Sequence, residues 1–154
     1  MSEYRPASQD SFVVYWLGGQ AHCVTSSSVA RVIRVPSRWK GQDKRISYEG
    51  RDVDVVDLRE ELRLQGSGKG HHIMVVKGSK GLLGLIVDRV DAVVRLDRRE
   101  FSAPSKLLKG LDHLVGVADY AENTMMVTDW TVLVERIMTQ RSVKEDEEGR
   151  LESR

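Results

Sequence analysis

The chain has 154 residues, enough for one compact domain or two small subdomains sharing a core, and too few for two independent domains of ordinary size. Its 24 basic and 23 acidic side chains leave a formal charge of +1, which excludes a global field of one sign able to attract nucleic acid or anionic lipid. A lone cysteine excludes an intramolecular disulfide, and no run approaches the roughly 18 consecutive apolar residues needed to span a bilayer.

Residues 1–11 are polar, with no apolar run behind a basic start, so they read as a disordered leader rather than a secretory signal, and the expected location is the cytoplasm. Phe12 to Leu17 is apolar throughout, Gly18-Gly19 is a turn signal and Gln20 to Val24 returns, which predicts a first hairpin. The alternation around Cys23 makes it a small buried hydrophobe. Thr25 to Ser28 supplies hydroxyls for a turn, or for the cap of a short helical turn. Val29 to Val35 then runs extended until Pro36, which cannot donate to a ladder.

Residues 37–45 are polar and basic and read as an exposed loop. Ile46 to Glu49, Gly50 and Val53 to Val56 predict a second hairpin, stopped by Asp57. The Asp57 carboxylate can cap the turn Leu58 to Leu62, with Glu60 reaching back to complete a capping box. Gln65 to Gly70 holds three glycines and a serine in six residues and is read as a linker.

Ile73 to Val76 and Leu82 to Val87 form the next predicted hairpin, turning at Lys77 to Gly81, and Val90 to Leu96 follows as an extended segment. Phe101 to Leu111 is expected to be irregular or a single helical turn. Val115 to Asp119 and Thr124 to Thr128 make the last hairpin, around Tyr120 to Asn123. Asp129 caps a helix reaching about Gln140, with Trp130, Leu133, Val134 and Ile137 on one face. Residues 141–154 read as a charged, disordered tail: Ser142 to Arg154 carries eight charged side chains and two aliphatic ones.

The chain repeats itself. Val29, Val32, Ile33, Arg34 and Val35 stand opposite Val90, Val93, Val94, Arg95 and Leu96; Val53 to Leu62 is echoed by Met125 to Val134, with Asp57 opposite Asp129. Two echoes in the same order predict two copies of one small β-rich unit, roughly residues 12–64 and 71–128, followed by the helix at 129–140.

None of the polar residues assembles into a catalytic set. Asp57 and Asp129 recur as caps. His71 and His72 point to opposite faces of a strand and lack the spaced partners of a metal site, so no metal or other cofactor is expected. The linker at 65–70 lacks the spacing of a phosphate loop, and His22 beside Cys23 diverges from it along a strand. No nucleophile, base and orienter can be placed together, so the chain reads as a docking body and not as an enzyme. The one alternative with residues behind it is a small β-barrel nucleic-acid binder, because Arg38, Lys40, Lys44, Arg45 and Arg51 cluster with Trp39 and Tyr48. The balanced net charge argues against it.

With the two-unit plan in place, three segments become recognisable. Phe12 to Gly18 (F-V-V-Y-W-L-G), Val53 to Arg59 (ending V-V-D-L-R) and Gly81 to Val90 (G-L-L-G-L-I-V-D-R-V) resemble, in order and spacing over residues 12–137, the CheW-like chemotaxis adaptor family. The resemblance implies a mainly β fold of two intertwined, five-stranded, SH3-like barrel subdomains with a short C-terminal helix. It implies a non-catalytic scaffold that couples methyl-accepting chemoreceptors to a CheA-type histidine kinase. The kinase's own CheW-like regulatory domain would meet barrel ends, the receptor tip would lie in an apolar groove between subdomains, and other CheW-like domains are further implied partners.

Carried over residue by residue, that groove would involve Val29, Arg31, Val32, Ile73 and Val75, with Val87 as a further candidate. Two departures bear on partner choice. The family's Asn-Leu-Arg-Gly run is Ser47-Tyr48-Glu49-Gly50 here, so an arginine has become Glu49, and Arg31 stands where an acidic residue is common. Glu49 and Gly50 therefore join the expected contact residues, and the segment from Pro36 to Gly50 is short for the family. Reversed charges are expected to redirect binding toward partners whose own charges are reversed.

Overall fold

The computed structural model describes residues 9–35, 45–61, 72–79, 81–103 and 114–140. Among these, ten strands and two α-helices follow in chain order: β1 Gln9–Leu17, β2 Gln20–Thr25, β3 Val29–Arg34, β4 Arg45–Tyr48, β5 Arg51–Asp57, α1 Leu58–Glu61, β6 His72–Gly78, β7 Gly81–Val87, β8 Arg89–Asp97, β9 Leu114–Tyr120, β10 Asn123–Thr128, and α2 at residues 131–140. The predicted hairpins all form. β1 starts at Gln9, so part of the expected leader is strand. Its remainder, the basic loop from 36 to 44, the linker, the segment 104–113 and the tail lie outside the described residues.

The turns follow from backbone chemistry. Gly18 and Gly19 both have positive φ (57° and 80°), as do Glu49 and Gly50 (50° and 77°) and Ala121 and Glu122 (45° and 66°). Each pair is the centre of a two-residue hairpin loop, where positive φ at both positions matches the right-handed twist of the strands. Glycine supplies that conformation without strain, whereas Ala121 and Glu122 hold it against a steric cost.

The strands build two five-stranded sheets, ordered β8-β1-β2-β10-β9 and β3-β6-β7-β5-β4. This is the intertwining that the family resemblance implies: neither 12–64 nor 71–128 completes a sheet from its own strands. The β1–β2 hairpin leaves its own half and inserts between β8 and β10, while β6–β7 inserts between β3 and β5. Under the repeat, β1 to β5 correspond to β6 to β10, and that substitution turns one sheet order into the other. The correspondence holds at single residues: Val14 pairs Cys23, which pairs Val127, and Val75 pairs Gly84, which pairs Val55. Even the irregularities match, since the register shift between Val14 and Tyr15 against β8 has its counterpart between Val29 and Arg31 against β6.

Burial explains the exchange. The inserted hairpins are apolar on both faces, so each must be covered on both. Phe12, Val14, Ala21 and Cys23 fill the interior of the first sheet with Met125 and Val127, and Ile73 and Val75 fill the second with Val53, Val55 and Ile86. The opposite faces, Val13, Tyr15 and Leu17 with Met74, Val76, Leu83, Leu85 and Val87, meet in a shared core. Trp130, just before α2, and Leu133, Val134 and Ile137 of α2 close that core, as the sequence predicts. A deep polar chain in it is satisfied: Thr128 Oγ1 donates to the Cys23 carbonyl at 2.7 Å and accepts from the Tyr15 hydroxyl at 2.8 Å.

The caps hold as well. Asp57 accepts from the Arg59 N–H at 3.0 Å and Asp129 from the Thr131 N–H at 2.9 Å, equivalent bonds in the two repeats. A reciprocal capping box is present at Asp97 and Glu100, where the sequence reading did not place one.

Candidate partner-binding site

The elements that position the candidate surface are the two edges of the second sheet. Among the described residues β3 is bonded only to β6, and β4 only to β5. Between these edges lies an open groove of about 340 Å3, lined by Arg31, Val32, Ile33 and Arg34 of β3 and by Ser47, Tyr48 and Glu49 of β4 and its turn. Local sequence sets its character. Ala30 and Ile33 pack against the sheet interior, and Arg31, Val32 and Arg34 remain exposed, Arg31 on the face of Ile33 and Val32 with Arg34 on the other. Glu49 is carried to the groove mouth by the β4–β5 turn, with exposed Gly50 beside it.

The structure thus brings together Arg31, Val32 and Glu49 of the expected contact residues, and places Gly50 next to them. Val29 sits apart, half-buried against the shared core. Ile73, Val75 and Val87 are fully buried, the first two inside the second sheet and Val87 in the shared core. They are not exposed to this groove, whose lining is mixed, with two guanidiniums, a carboxylate, a hydroxyl and a phenol around Val32 and Ile33. Arg34, Ser47 and Tyr48 were missed, although the repeat of Arg34 in Arg95 marked that position as one held outward on an edge strand.

A second polar feature joins other parts of the fold. Arg59, with a side chain only 10% exposed, donates from Nε and Nη2 to the two Asp57 oxygens at 3.2 Å each, and from Nη1 to Asp88 Oδ1 at 3.1 Å. The other Asp88 oxygen accepts from the Gly18 N–H at 2.8 Å. The V-V-D-L-R segment of β5 and α1, the I-V-D-R-V segment after β7 and the β1–β2 turn are therefore tied at one point. The hydrogen bonds it donates to Asp57 raise the guanidinium's pKa above its ordinary value, so it is charged wherever the protein is folded.

The residues singled out for chemistry have structural duties. Cys23 is fully buried, and burial pushes its thiol up to about 12, away from the thiolate a nucleophile requires. His72 Nδ1 accepts from the Val90 N–H at 3.2 Å, joining β6 to β8. Of the basic cluster considered for nucleic acid, residues 38–44 lie outside the described residues, and Arg45 is bound to Asp54 at 2.9 Å. Among the described residues no helix is long and apolar enough to cross a membrane.

Two five-stranded sheets that exchange hairpins and share a core define a CheW-like fold. The family model described as a CheW-like domain matches residues 11–139, and the chain belongs to that family. A solved structure with this fold, the scaffolding protein TtCheW from Thermoanaerobacter tengcongensis, superposes with a TM-score of 0.67 at 20% identity, covering 80% of this chain and 91% of that one. No curated protein matches the chain.

Proposed function

We propose that this protein is a non-catalytic scaffold of a chemosensory pathway, which couples a methyl-accepting chemoreceptor to a CheA-type histidine kinase and acts through binding equilibria alone. The observation that carries the proposal is the groove between β3 and the β4–β5 turn, where Arg31, Val32 and Glu49 converge on an exposed face of a CheW-like fold. Its partners are the kinase's regulatory domain, the receptor tip and other CheW-like domains. The protein works in the cytoplasm and reaches membrane-associated arrays through those partners.

Contact is made by Arg31, Val32, Glu49 and Gly50. Val29, Ile73, Val75 and Val87 act behind them by fixing the strands that present the groove. Glu49 at the mouth selects among partners by charge. The test is calorimetry of the full chain against the regulatory domain of the CheA-type kinase from the same organism. Binding is expected, with Glu49→Arg weakening it at least tenfold. Failure to associate with any such domain from that organism would sink the proposal.

A further inference from the structure

Several arginines of this protein are held by carboxylates: Arg45 by Asp54, Arg59 by Asp57 and Asp88, Arg98 by Asp10, and Arg99 by Asp97. Arg31 and Arg34 make no ion pair among the described residues, yet both are exposed on one edge strand and line the same groove. Val32 lies between them along the strand with 36% of its surface open. Across the groove Ser47 and Tyr48 add hydroxyls, and Glu49 closes one end with the opposite charge. The strands on both sides have a free hydrogen-bonding edge among the described residues, so an extended chain laid between them finds backbone donors and acceptors as well as side chains.

From this arrangement we infer that the groove takes an extended acidic segment of a partner protein, whose two carboxylates meet Arg31 and Arg34 while a small apolar residue covers Val32. Along a strand, residues three apart are separated by roughly 10 Å and point to opposite faces, so the two carboxylates stand three residues apart and meet Arg31 and Arg34 from opposite faces of the segment. Planar guanidiniums favour carboxylates over other acceptors because two parallel N–H bonds can form to each. Glu49 gives the groove polarity: the segment runs with its acidic residues toward Arg31 and Arg34, and with a neutral or basic residue toward the β4–β5 turn. The inference rests on reading this face as the partner surface, and adds the chemistry of what occupies it.

The test uses fluorescence anisotropy with labelled ten-residue peptides against the full chain. One peptide carries two glutamates three residues apart around a valine, and its control replaces both with glutamine. At low ionic strength the acidic peptide is expected to bind at least tenfold more tightly, to lose that advantage in Arg31→Glu/Arg34→Glu, and to lose most of it in the milder Arg31→Gln/Arg34→Gln. Equal binding of the two peptides, or acidic binding indifferent to both double variants, would overturn the inference. So would a gain of tenfold or more on deleting residues 143–154, because the run Glu145 to Glu148 would then be the occupant. Kinase-domain binding measured on the same variants separates the two readings. If it persists undiminished in the double variants, the scaffold role stands and the acidic-segment inference fails; if it is absent even in the unaltered chain while the peptide discrimination holds, the reverse is true.

Discussion

Removing the Asp88 carboxylate should destabilise the fold far more than removing a surface carboxylate, because Asp88 is one of two anions serving a guanidinium cut off from water. In Asp88→Ala, Arg59 keeps both bonds to Asp57 but loses the 3.1 Å bond from Nη1, and the Gly18 N–H loses its acceptor. Breaking a fully buried ion pair by deleting one partner costs about 3–5 kcal/mol. Here the Asp88 side chain is itself 24% exposed, so water can enter the vacated place, and the expected loss is about 2–3 kcal/mol. Arg59→Met takes away the cation that both carboxylates serve, so the two losses should not add. A double-mutant cycle should show a coupling of about 1–2 kcal/mol, with the double variant more stable than the sum predicts. Urea titration followed by tryptophan fluorescence reads both quantities, with Asp10→Ala as the control. That residue's partner Arg98 has a side chain 75% exposed, and the pair is worth no more than about 0.5 kcal/mol. If Asp88→Ala falls within about 0.5 kcal/mol of the unaltered chain, or the cycle is additive, the junction does not hold the two motifs together.

Two further outcomes follow from the interior. Gly84→Ala would place a methyl 3.0 Å from Ile73 Cγ2 and 3.1 Å from Val55 Cγ2, an overpacking expected to cost about 1–3 kcal/mol in the same urea titration; a neutral result would mean the second sheet's interior yields freely. Burial raises the Cys23 thiol from 9.0 to about 12 and holds the Tyr15 phenol well above its usual 10.0, so both stay neutral in the folded chain while the unfolded chain ionises. Each group's contribution is complete below its unfolded pKa and is lost as pH rises toward the folded one. Stability should therefore fall between pH 9 and 12, by up to about 1.4 kcal/mol per pH unit for each ionising group, and a urea midpoint that stays level from pH 8 to 11 would contradict this.

The family was legible because its marks are local. Gly18-Gly19 and Glu49-Gly50 turn where they stand, the continuous apolar runs of β1 and β6 are strands, and Asp57 and Asp129 cap the elements that follow them. The same runs carried a signal that the groove reading passed over. Ile73 to Val76 has no polar residue on either face, which marks a strand covered on both sides and so removes Ile73 and Val75 from any surface. Arg59 and Asp88 are 29 residues apart, and nothing in either segment names the other as its partner.

By itself the sequence determined the strands, the turns, the caps and the fact of repetition, since these depend on a residue's own φ and on alternation along a few neighbours. Alternation and turn residues do not say which strands each hairpin joins, because the repeated β3 and β8 offer similar edges to either, and the family resemblance implied intertwined subdomains without giving their strand order. Only the tertiary structure decided that. Exchange covers both faces of each apolar hairpin, one inside a sheet and the other in the shared core. The same exchange leaves β3 and β4 as the edges between which Arg31, Arg34 and Glu49 meet.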